Sequence, residues 1–458
     1  MHGRPQTFHV VAMGCKVSQY EAQALGAYLQ HQLGLRPVSR PDEADVVVLQ
    51  TCTVTHQSDR EARKLVRRFK RDGRTRVIVT GCYAQRAPAE LQAAGADLVM
   101  GHGVRHRTWH IRRFLFAEDV PPPDLPEWAE VFGPPALRED RTRVYLKVHD
   151  GCDVFCSFCI IPHVRGPGRS LPPDEVLRRV EDLVEQGVRE IILTGVNLAS
   201  YGRDLGWTDG LLRLCERLDG VAADVQFRLS SLGAYDLDER LFELVCASPR
   251  FAPHFHLPLQ SASDRVLQDM RRPYRLQDYD RILRFLADRG DHICIGTDVI
   301  VGFPTESDAD FEITYRYIEE SPIAYVHVFP YSPRPGTLSA TLWRELDPRV
   351  VEERARRLRV LSAQKREQFY RRQVGRWLKA LTLHRSADGR HLRAITGNYI
   401  EFTLDDPEGR WSENAWVLVR FGAYVDGRWV VTDVRPLPQG GSGQGPSAGL
   451  PFTECRSG

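Results

Sequence analysis

Short hydrophobic runs alternate with amphipathic helical patterns over residues 1–117. Each run is four to seven residues long and ends at a glycine or a polar residue, as buried strands do. The runs span 7–13, 45–50, 76–80 and 97–100, and the helical patterns span 18–33, 57–71, 87–94 and 104–116. Alternation of this kind predicts a parallel sheet covered by helices.

The same alternation returns over residues 143–373, where six strand–helix units follow one another. The predicted strands are 144–148, 190–193, 224–229, 254–259, 292–301 and 325–331, and the helices lie near 174–187, 209–218, 238–247, 263–286, 307–320 and 349–373. Six such units without intervening hairpins predict a partial (β/α)6 barrel of the TIM type. Residues 118–142 between the two regions contain six prolines and no periodicity, which predicts an extended linker.

The pattern changes after residue 373. Short strand-like runs separated by turn signals such as Asp388-Gly389 and Asp426-Gly427 predict a small antiparallel β-barrel over 374–436. The tail 437–458 is rich in Gly, Ser and Pro, which predicts disorder. The expected fold class is therefore α/β, with an N-terminal parallel sheet, a central partial barrel and a C-terminal β-barrel.

Composition adds little beyond an ordinary globular protein. The 458 residues carry 62 basic and 60 acidic side chains, for a net charge of +2, so overall charge indicates no partner. No stretch approaches the ~18 consecutive apolar residues of a membrane span. The N-terminus lacks the layout of a signal peptide. We therefore expect a cytoplasmic protein without a membrane partner, in which clustered cysteines indicate metal or redox chemistry.

Three cysteines lie within eight residues at the end of the first strand of the central region: Cys152, Cys156 and Cys159. A C-x3-C-x2-C spacing can hold three irons of a [4Fe–4S] cluster and leave the fourth iron open for substrate. The loop position fits, because active sites of βα barrels lie at the carboxyl ends of the strands. The alternative is a zinc site, with His149 or His163 as a fourth ligand.

Three further cysteines, Cys15, Cys52 and Cys82, lie far apart in sequence but occupy the same place in three consecutive units. Each falls within two residues of the end of a predicted strand. Carboxyl ends of parallel strands share one edge of the sheet, so the three thiols are expected to meet there. Three thiolates again leave one iron of a cluster open, which predicts a second [4Fe–4S] site.

The remaining candidates carry less information. Cys215, Cys246 and Cys294 lie among Leu, Val and Ile and are interpreted as core residues, and Cys455 lies in the tail. His102, His106 and His110 recur at a spacing of four, which would suit a metal on a helix. Neighbouring arginines disfavour a cation, so we interpret these histidines as part of a solvated basic face.

The cysteine motifs, together with longer strings, resemble one family. The triplet in DGCDVFCSFCIIP is the signature of radical S-adenosylmethionine (SAM) enzymes. With MGCKVSQYEAQ, TCTVTHQSDREARK and TGCYAQ, the chain resembles the radical-SAM methylthiotransferases from residue 7 to about 435. Thr51–Thr55 and Gly81–Gln85 make it most similar to the threonylcarbamoyladenosine-tRNA methylthiotransferases, the MtaB type.

This resemblance implies an N-terminal methylthiotransferase domain (1–117), a Pro-rich linker (118–142), a radical SAM domain (143–373) and an RNA-binding TRAM barrel (374–436). It implies SAM and two [4Fe–4S] clusters as cofactors. One SAM methylates a sulfur held at the first cluster. A second SAM is cleaved at the other cluster to a 5′-deoxyadenosyl radical. The methylthio group then ends on C2 of N6-threonylcarbamoyladenosine-37. The implied partners are the tRNA anticodon stem-loop and an electron donor such as a flavodoxin or ferredoxin.

The resemblance also indicates where SAM would bind, since the corresponding motifs fall at strand ends. These candidate contacts are Phe158, Gly195, Asn197, Ser231, Gln260 and Ile300, and no catalytic acid or base is assigned. Twelve basic against five acidic residues over 344–379 give a local charge of +7, which suits phosphate contact.

Other hypotheses stay open at this point. Within the same enzyme class, the substrate could be isopentenyladenosine-37 or a ribosomal-protein aspartate. In another class, the chain would be a non-enzymatic RNA-binding protein whose cysteines hold metal.

Overall fold

We analysed a computed structural model of the chain. It describes residues 4–71, 73–104, 106–118, 121–133, 142–235 and 238–437, with the side chain of residue 127 left out. The expected disordered tail beyond residue 437, including Cys455, lies outside these residues. Among the described residues, no helix has the length and hydrophobicity needed to cross a bilayer.

The N-terminal region forms one parallel five-stranded sheet in the order β2-β1-β3-β4-β5. Buried valine and leucine side chains of the central strands pack against helices on both faces, which explains their continuous hydrophobic runs. The strands are β1 (Thr7–Ala12), β2 (Arg36–Pro37), β3 (Val46–Thr51), β4 (Arg76–Gly81) and β5 (Leu98–Met100), and the helices are α1 (Lys16–Ala27), α2 (His56–Phe69), α3 (Cys82–Arg86), α4 (Pro88–Ala93) and α5 (Arg107–Phe116).

Two short elements were not predicted. Strand β2 has only two residues, too few for any periodicity. Helix α3 begins directly at Cys82, so the strand end and the helix start are adjacent.

The segment expected to be an extended linker contains a short helix, α6 (Glu127–Phe132), whose Phe132 is buried in the central core. The prediction of a wholly extended linker was therefore wrong, because Phe132 contributes to that core.

The central region has the six predicted parallel strands and one short antiparallel addition. Their order is β7-β6-β8-β9 in one sheet and β10-β11-β12 in a second, and single bridges Phe227–Phe251 and Ser231–His256 join the two. The expectation of a partial barrel is confirmed. The strands are β6 (Arg143–Asp150), β7 (Arg169–Ser170), β8 (Glu190–Gly195), β9 (Gln226–Leu229), β10 (His254–His256), β11 (Cys294–Val301) and β12 (Tyr325–Pro330).

Helices cover this barrel from outside, and five of them begin and end within two residues of their predicted limits. The short helices Ile161–Arg165 and Leu338–Leu342 were not predicted. The predicted helix 263–286 divides into two helices, because Pro273 disfavours helix at the residue before it and Arg271 has a φ of 55°. The helices are α7 (Ile161–Arg165), α8 (Pro173–Glu185), α9 (Gly210–Asp219), α10 (Glu239–Ala247), α11 (Asp264–Asp269), α12 (Leu276–Ala287), α13 (Asp308–Glu320), α14 (Leu338–Leu342) and α15 (Pro348–Gln373).

The C-terminal region is an antiparallel five-stranded sheet, ordered β15-β14-β13-β16-β17, whose two edge strands approach each other. It confirms the expected all-antiparallel unit. The strands are β13 (Trp377–Arg385), β14 (His391–Thr396), β15 (Glu401–Asp405), β16 (Trp416–Val425) and β17 (Arg428–Pro436). The turn after β14 packs on the central barrel, where Arg228 donates to the carbonyl oxygen of Gly397 at 2.9 Å.

Candidate iron–sulfur and SAM site

The first group of cysteines meets at one edge of the N-terminal sheet. Thr51 and Gly81 are register partners on β3 and β4, so the residues that follow them, Cys52 and Cys82, start side by side. Gly14 lies so close to Cys52 that a Cβ there would fall 2.9 Å from its Sγ, which brings Cys15 to the same place. Cys15, Cys52 and Cys82, here called the first trio, therefore converge as the strand positions predict.

Cys82 lies among nitrogen donors. The Nε of Arg165 donates to its Sγ at 3.2 Å, and the Nε2 of His102 lies 3.6 Å from the same sulfur. Arg107 donates to the Nδ1 of His102, at 3.3 Å, so Nδ1 must carry the lone pair and Nε2 the proton. His102 is therefore placed to donate to the sulfur and not to act as a fourth ligand through Nε2.

Burial controls the protonation of this region. It raises the pKa of the Cys82 thiol to about 12, against the opposing effect of Arg165. Burial and Arg165 together lower the pKa of His102 to about 3. A thiol of this kind loses its proton when metal binds, so metal binding here is coupled to proton release.

The histidines do not form the solvated basic face that we expected. Helix α5 begins only at Arg107, so His102 and His106 precede it and do not share a helical face with His110. His106 pairs with Glu130 at 3.0 Å, and both His102 and His106 line a cavity of about 880 Å³ between α1, α5 and α6. Tertiary contacts from α6 account for the difference.

The second trio, Cys152, Cys156 and Cys159, lies in the loop after β6, and hydrogen bonds join this loop to the end of α11. The backbone N–H of Ser157 donates to Met270 O at 2.9 Å, and its hydroxyl donates to Asp269 O at 2.7 Å. The second trio lies near Cys82 of the first, because Cys82 belongs to one hydrophobic cluster with Ile160, the residue directly after Cys159.

The spacing of the sulfur atoms separates two kinds of metal site. A tetrahedral zinc with Zn–S bonds of about 2.3 Å needs its sulfurs roughly 3.8 Å apart. Among the described residues, neither trio has all three sulfurs within 4.8 Å of one another. The sulfur positions of the described residues therefore do not form a ready-made tetrahedral zinc site. His163 is exposed and stacks edge-on against Phe155, while His149 is buried behind the loop.

The candidate SAM contacts also gather near the second trio. Phe158 and Ile300 pack in one hydrophobic cluster with Val266, Met270 and Phe303. These two residues come from sequence positions more than a hundred apart, and the resemblance indicated both as candidate SAM contacts.

The polar candidates lie at the neighbouring strand ends. Asn197 donates to Ser200 Oγ at 2.7 Å and accepts from the Tyr235 hydroxyl at 2.8 Å. Gly195 ends β8 beside His149, where a Cβ would come within 2.9 Å of the histidine Cβ. Asn197 borders the cysteine loop, because its partner Tyr235 also contacts the arginine that binds Cys156.

Ser231 and Gln260 complete the rim. The hydroxyl of Ser231 lies 2.9 Å from His256 Nδ1, and Gln260, with a φ of 69°, is bonded through its backbone to β11. His256 and His327 both approach Asp298, at 3.1 and 3.2 Å. Although burial opposes it, their hydrogen bonds lower the pKa of Asp298 to about 2. Reasoning from sequence missed this polar group inside the barrel.

Two networks of buried charges join the N-terminal sheet to the barrel. Arg165 binds both carboxylate oxygens of Glu21 at 2.9 and 3.0 Å and Asp150 at 2.8 Å, and Lys147 binds the same two carboxylates. In the second network, Asp59 of α2 pairs with Arg86 and with Arg334, which is 1% exposed. None of these residues carried a signal in the sequence, since their partners lie far away along the chain.

Comparison with known proteins defines the class. Residues 146–318 match the model of the radical SAM superfamily, and residues 7–101 match that of the uncharacterized protein family UPF0004. The radical S-adenosylmethionine methyltransferase TsrM from Kitasatospora setae has a similar fold, with a TM-score of 0.53 over 74% of this chain and 75% of that one, at 13% identity. The chain is thus a radical SAM enzyme, a class that uses SAM and a [4Fe–4S] cluster.

Two curated relatives refine this assignment. A threonylcarbamoyladenosine tRNA methylthiotransferase MtaB from Aquifex aeolicus is 37% identical over 401 residues, covering 85% of this chain and 94% of that protein. A tRNA-2-methylthio-N(6)-dimethylallyladenosine synthase from Thermotoga petrophila is 32% identical, covering 77% and 80%. The chain belongs to the radical SAM tRNA methylthiotransferases, and within them to the MtaB type.

Proposed function

We propose that this enzyme converts N6-threonylcarbamoyladenosine-37 of tRNA to its 2-methylthio derivative, with two [4Fe–4S] clusters and SAM. The observation that carries the proposal is that Cys82 of the first trio shares a hydrophobic cluster with Ile160, the residue directly after Cys159 of the second trio. The MtaB-type relative, 37% identical along nearly its whole length, supports the substrate.

The first trio, Cys15, Cys52 and Cys82, is proposed to hold one cluster. The orientation of His102 favours it over a single zinc ion, because a protonated Nε2 cannot complete a Cys3His zinc site and instead donates to sulfur. Hydrogen bonds to cysteine sulfur are a usual feature of iron–sulfur sites.

The second trio, Cys152, Cys156 and Cys159, is proposed to hold the cluster at which SAM binds. When bound, that cluster supplies the electron for reductive cleavage of SAM, chemistry that belongs to the cofactor. The protein positions the reactants: Phe158 and Ile300 offer an apolar surface to the adenine, and Gly195, Asn197, Ser231 and Gln260 form the polar rim. The Ser157 hydrogen bonds to the end of α11 keep the cysteine loop in one conformation.

We further propose that the divisions 1–117, 118–142, 143–373 and 374–436 correspond to a methylthiotransferase domain, a linker, a radical SAM domain and an RNA-binding TRAM barrel. The tRNA anticodon stem-loop would bind across the barrel mouth, and a flavodoxin or ferredoxin would supply electrons in the cytoplasm. Tyr399 stacks on His254 at 4.7 Å, so this aromatic residue of the C-terminal unit faces the central barrel.

Reconstitution tests the proposal. Anaerobically purified protein should hold about eight irons by a two-cluster count. With SAM and dithionite, it should form the 2-methylthio nucleoside from an anticodon stem-loop that carries N6-threonylcarbamoyladenosine, as measured by mass spectrometry. A dimethylallyladenosine stem-loop and a ribosomal-protein aspartate peptide serve as the competing substrates. Product from either of these, with none from the first, would reassign the substrate.

Single cysteine variants test the ligands. Cys82→Ala should lower the iron content to about four and abolish methylthio transfer, while reductive SAM cleavage at the second site continues. Cys215→Ala is the matched control, because this cysteine is fully buried in the barrel core and should leave the iron content unchanged. A colourless zinc protein that does not cleave SAM would contradict the enzyme and support metal-dependent RNA binding instead.

A further inference from the structure

Each cysteine trio receives one hydrogen bond from a guanidinium group. Arg165 donates to Cys82 of the first trio at 3.2 Å, and Arg272 donates through Nη1 to Cys156 of the second at 3.1 Å. The two contacts are alike in geometry. They differ in the charges that surround each arginine.

Arg165 is neutralised by carboxylates. It binds Glu21 and Asp150, and the nearby Lys147 binds the same two groups. Two cations therefore face two carboxylates, and the network has no net charge. The two carboxylates therefore largely cancel the electrostatic effect of Arg165 on the sulfur of Cys82.

Arg272 has no such compensation. No carboxylate of the described residues forms an ion pair with it. Its guanidinium lies over the rings of Tyr235 and Tyr274, at 5.7 and 5.0 Å, and its Nε donates to the Tyr274 hydroxyl at 3.4 Å. Aromatic faces stabilise a cation without cancelling its charge. The group in reach that can balance Arg272 is the thiolate set of the second trio.

The contact is also held in place from both sides. Arg272 lies three residues after α11, whose end is bonded to Ser157 in the cysteine loop. The Tyr274 hydroxyl, in turn, donates to the carbonyl oxygen of Leu259 at 2.7 Å and lies 3.0 Å from that of Pro258. These hydrogen bonds therefore hold the loop that carries Arg272 and the loop that carries Cys156 in a fixed relative position.

We propose that Arg272 is a positioning residue whose uncompensated charge, delivered through its hydrogen bond to Cys156, raises the reduction potential of the cluster held by Cys152, Cys156 and Cys159. Reduction adds one negative charge to the cluster, and a fixed cation at a ligand sulfur favours the more negative state. Because the network around Arg165 has no net charge, it does not raise the reduction potential of the first cluster by the same amount. Electrons from the donor are thereby directed to the site of SAM cleavage. The inference rests on the proposed ligand assignment of the second trio.

The potential is measured site by site, without SAM. Replacing Cys15, Cys52 and Cys82 with alanine gives a parent with the second site alone, whose potential is followed by redox titration with EPR detection. In that parent, Arg272→Met should lower the equilibrium constant for reduction at least tenfold, about 59 mV for one electron. Arg272→Lys, which keeps the charge, should stay within threefold. Arg272→Gln, which keeps a donor without charge, should fall between the two.

Two controls isolate the effect. Arg179→Met removes a buried arginine whose partners are Glu175 and Tyr20, and it should leave the potential unchanged. In the converse parent, with Cys152, Cys156 and Cys159 replaced by alanine, Arg272→Met should not shift the first site. Iron content is recorded for every variant.

The outcomes are distinct. If Arg272→Gln keeps its iron and its potential is unchanged, the role assigned to Arg272 is wrong; this variant decides the question even where Arg272→Met loses iron. If the converse parent binds no iron, the two-cluster function fails, while the effect of Arg272 on the second site can still be measured. If the second-site parent itself binds no iron, the ligand assignment fails and the inference with it.

Discussion

At the scale of single residues, the first trio depends on a glycine that no side chain could replace. Gly14 has a φ of 93°, and a Cβ at this position would fall 2.6 Å from the Cβ of Cys52. Such a distance is inside van der Waals contact, and the backbone conformation itself disfavours any other residue. The close approach that brings Cys15 to Cys52 is therefore fixed by the backbone.

We expect Gly14→Ala to push the Cys15 loop away from Cys52 and to lower the iron content from about eight to about four per chain, with the first site lost. Gly34→Ala is the matched control, since Gly34 also has a positive φ, 68°, but open space where the Cβ would be. It should bind iron normally. Equal iron in the two variants would show that the approach of the two loops is dispensable.

The residues that could be predicted are those whose signal is local. The triplet at Cys152 follows from spacing, and the first trio follows from repeated positions at strand ends. Arg165, Arg272 and His102 could not be predicted, because each reaches sulfur from a loop or helix far away in sequence. Their roles depend on tertiary contacts, for which the hydrophobic pattern contains no information.

At the scale of elements, the sequence predicted the positions of strands better than the interruptions within helices. The buried parallel strands were found within a few residues, because their hydrophobic runs are continuous. The helix predicted over 263–286 was wrong as a single helix, since apolar periodicity continues through the interruption before Pro273. Arg272 lies in this interruption between the two helices. The segment that the helical pattern failed to predict is therefore the segment that contacts Cys156.

Helix α15 shows why a local charge count overstates the basic surface. Of its arginines, Arg356 is paired with Glu353 at 2.7 Å, and others are paired in the same way. Arg359 and Arg366 are exposed, lie seven residues apart on one face, and have no ion pair among the described residues. Phosphate contact is therefore expected from this face.

The double variant Arg359→Gln, Arg366→Gln should weaken tRNA binding and reduce the slope of log affinity against log salt by about two, one per lost phosphate contact. Binding is measured by filter retention between low and moderate salt. Arg356→Gln serves as the control, because its charge is already matched by Glu353. An unchanged slope in the double variant would remove this face from the RNA interface.

At the scale of the whole molecule, a buried ionic network holds the N-terminal sheet on the barrel. Glu21 of α1 receives hydrogen bonds from Arg165, Lys147 and Gln50, and all four side chains are buried. Although burial opposes it, Arg165 and Lys147 hold the pKa of Glu21 well below its ordinary value. The carboxylate therefore stays charged throughout the physiological range.

Glu21→Gln should lower the free energy of unfolding by about 3–5 kcal/mol, because it leaves two buried cations facing one carboxylate. Urea denaturation at neutral pH measures this loss. Glu43→Gln is the control, since Glu43 forms an exposed pair with Arg40 at 3.9 Å and should leave the stability unchanged. A small effect of Glu21→Gln would mean that this network is not needed to hold the two regions together.

The pH dependence of stability follows from a buried neutral histidine. His149, which is 1% exposed, has its pKa lowered by burial to about 4. Below the ordinary histidine pKa of about 6.5, this side chain is protonated in the unfolded chain but stays neutral in the folded chain. Each such histidine therefore lowers the free energy of unfolding by about 1.4 kcal/mol per pH unit as the pH falls. The loss begins near pH 6.5 as pH falls and ends near pH 4.

Carboxylates such as Glu21, whose folded pKa is depressed, lose their stabilising contribution only below about pH 4.5, so the interval from 6.5 to 4.5 isolates the histidines. In that interval His149→Asn should flatten the fall in unfolding free energy by about 2 kcal/mol, whatever its effect at pH 7. His31→Asn, at an exposed position, should leave the slope as it is. A slope that His149→Asn does not change would mean that His149 is protonated in the folded protein, and that the neighbouring Asp150 stabilises its charge against the cost of burial.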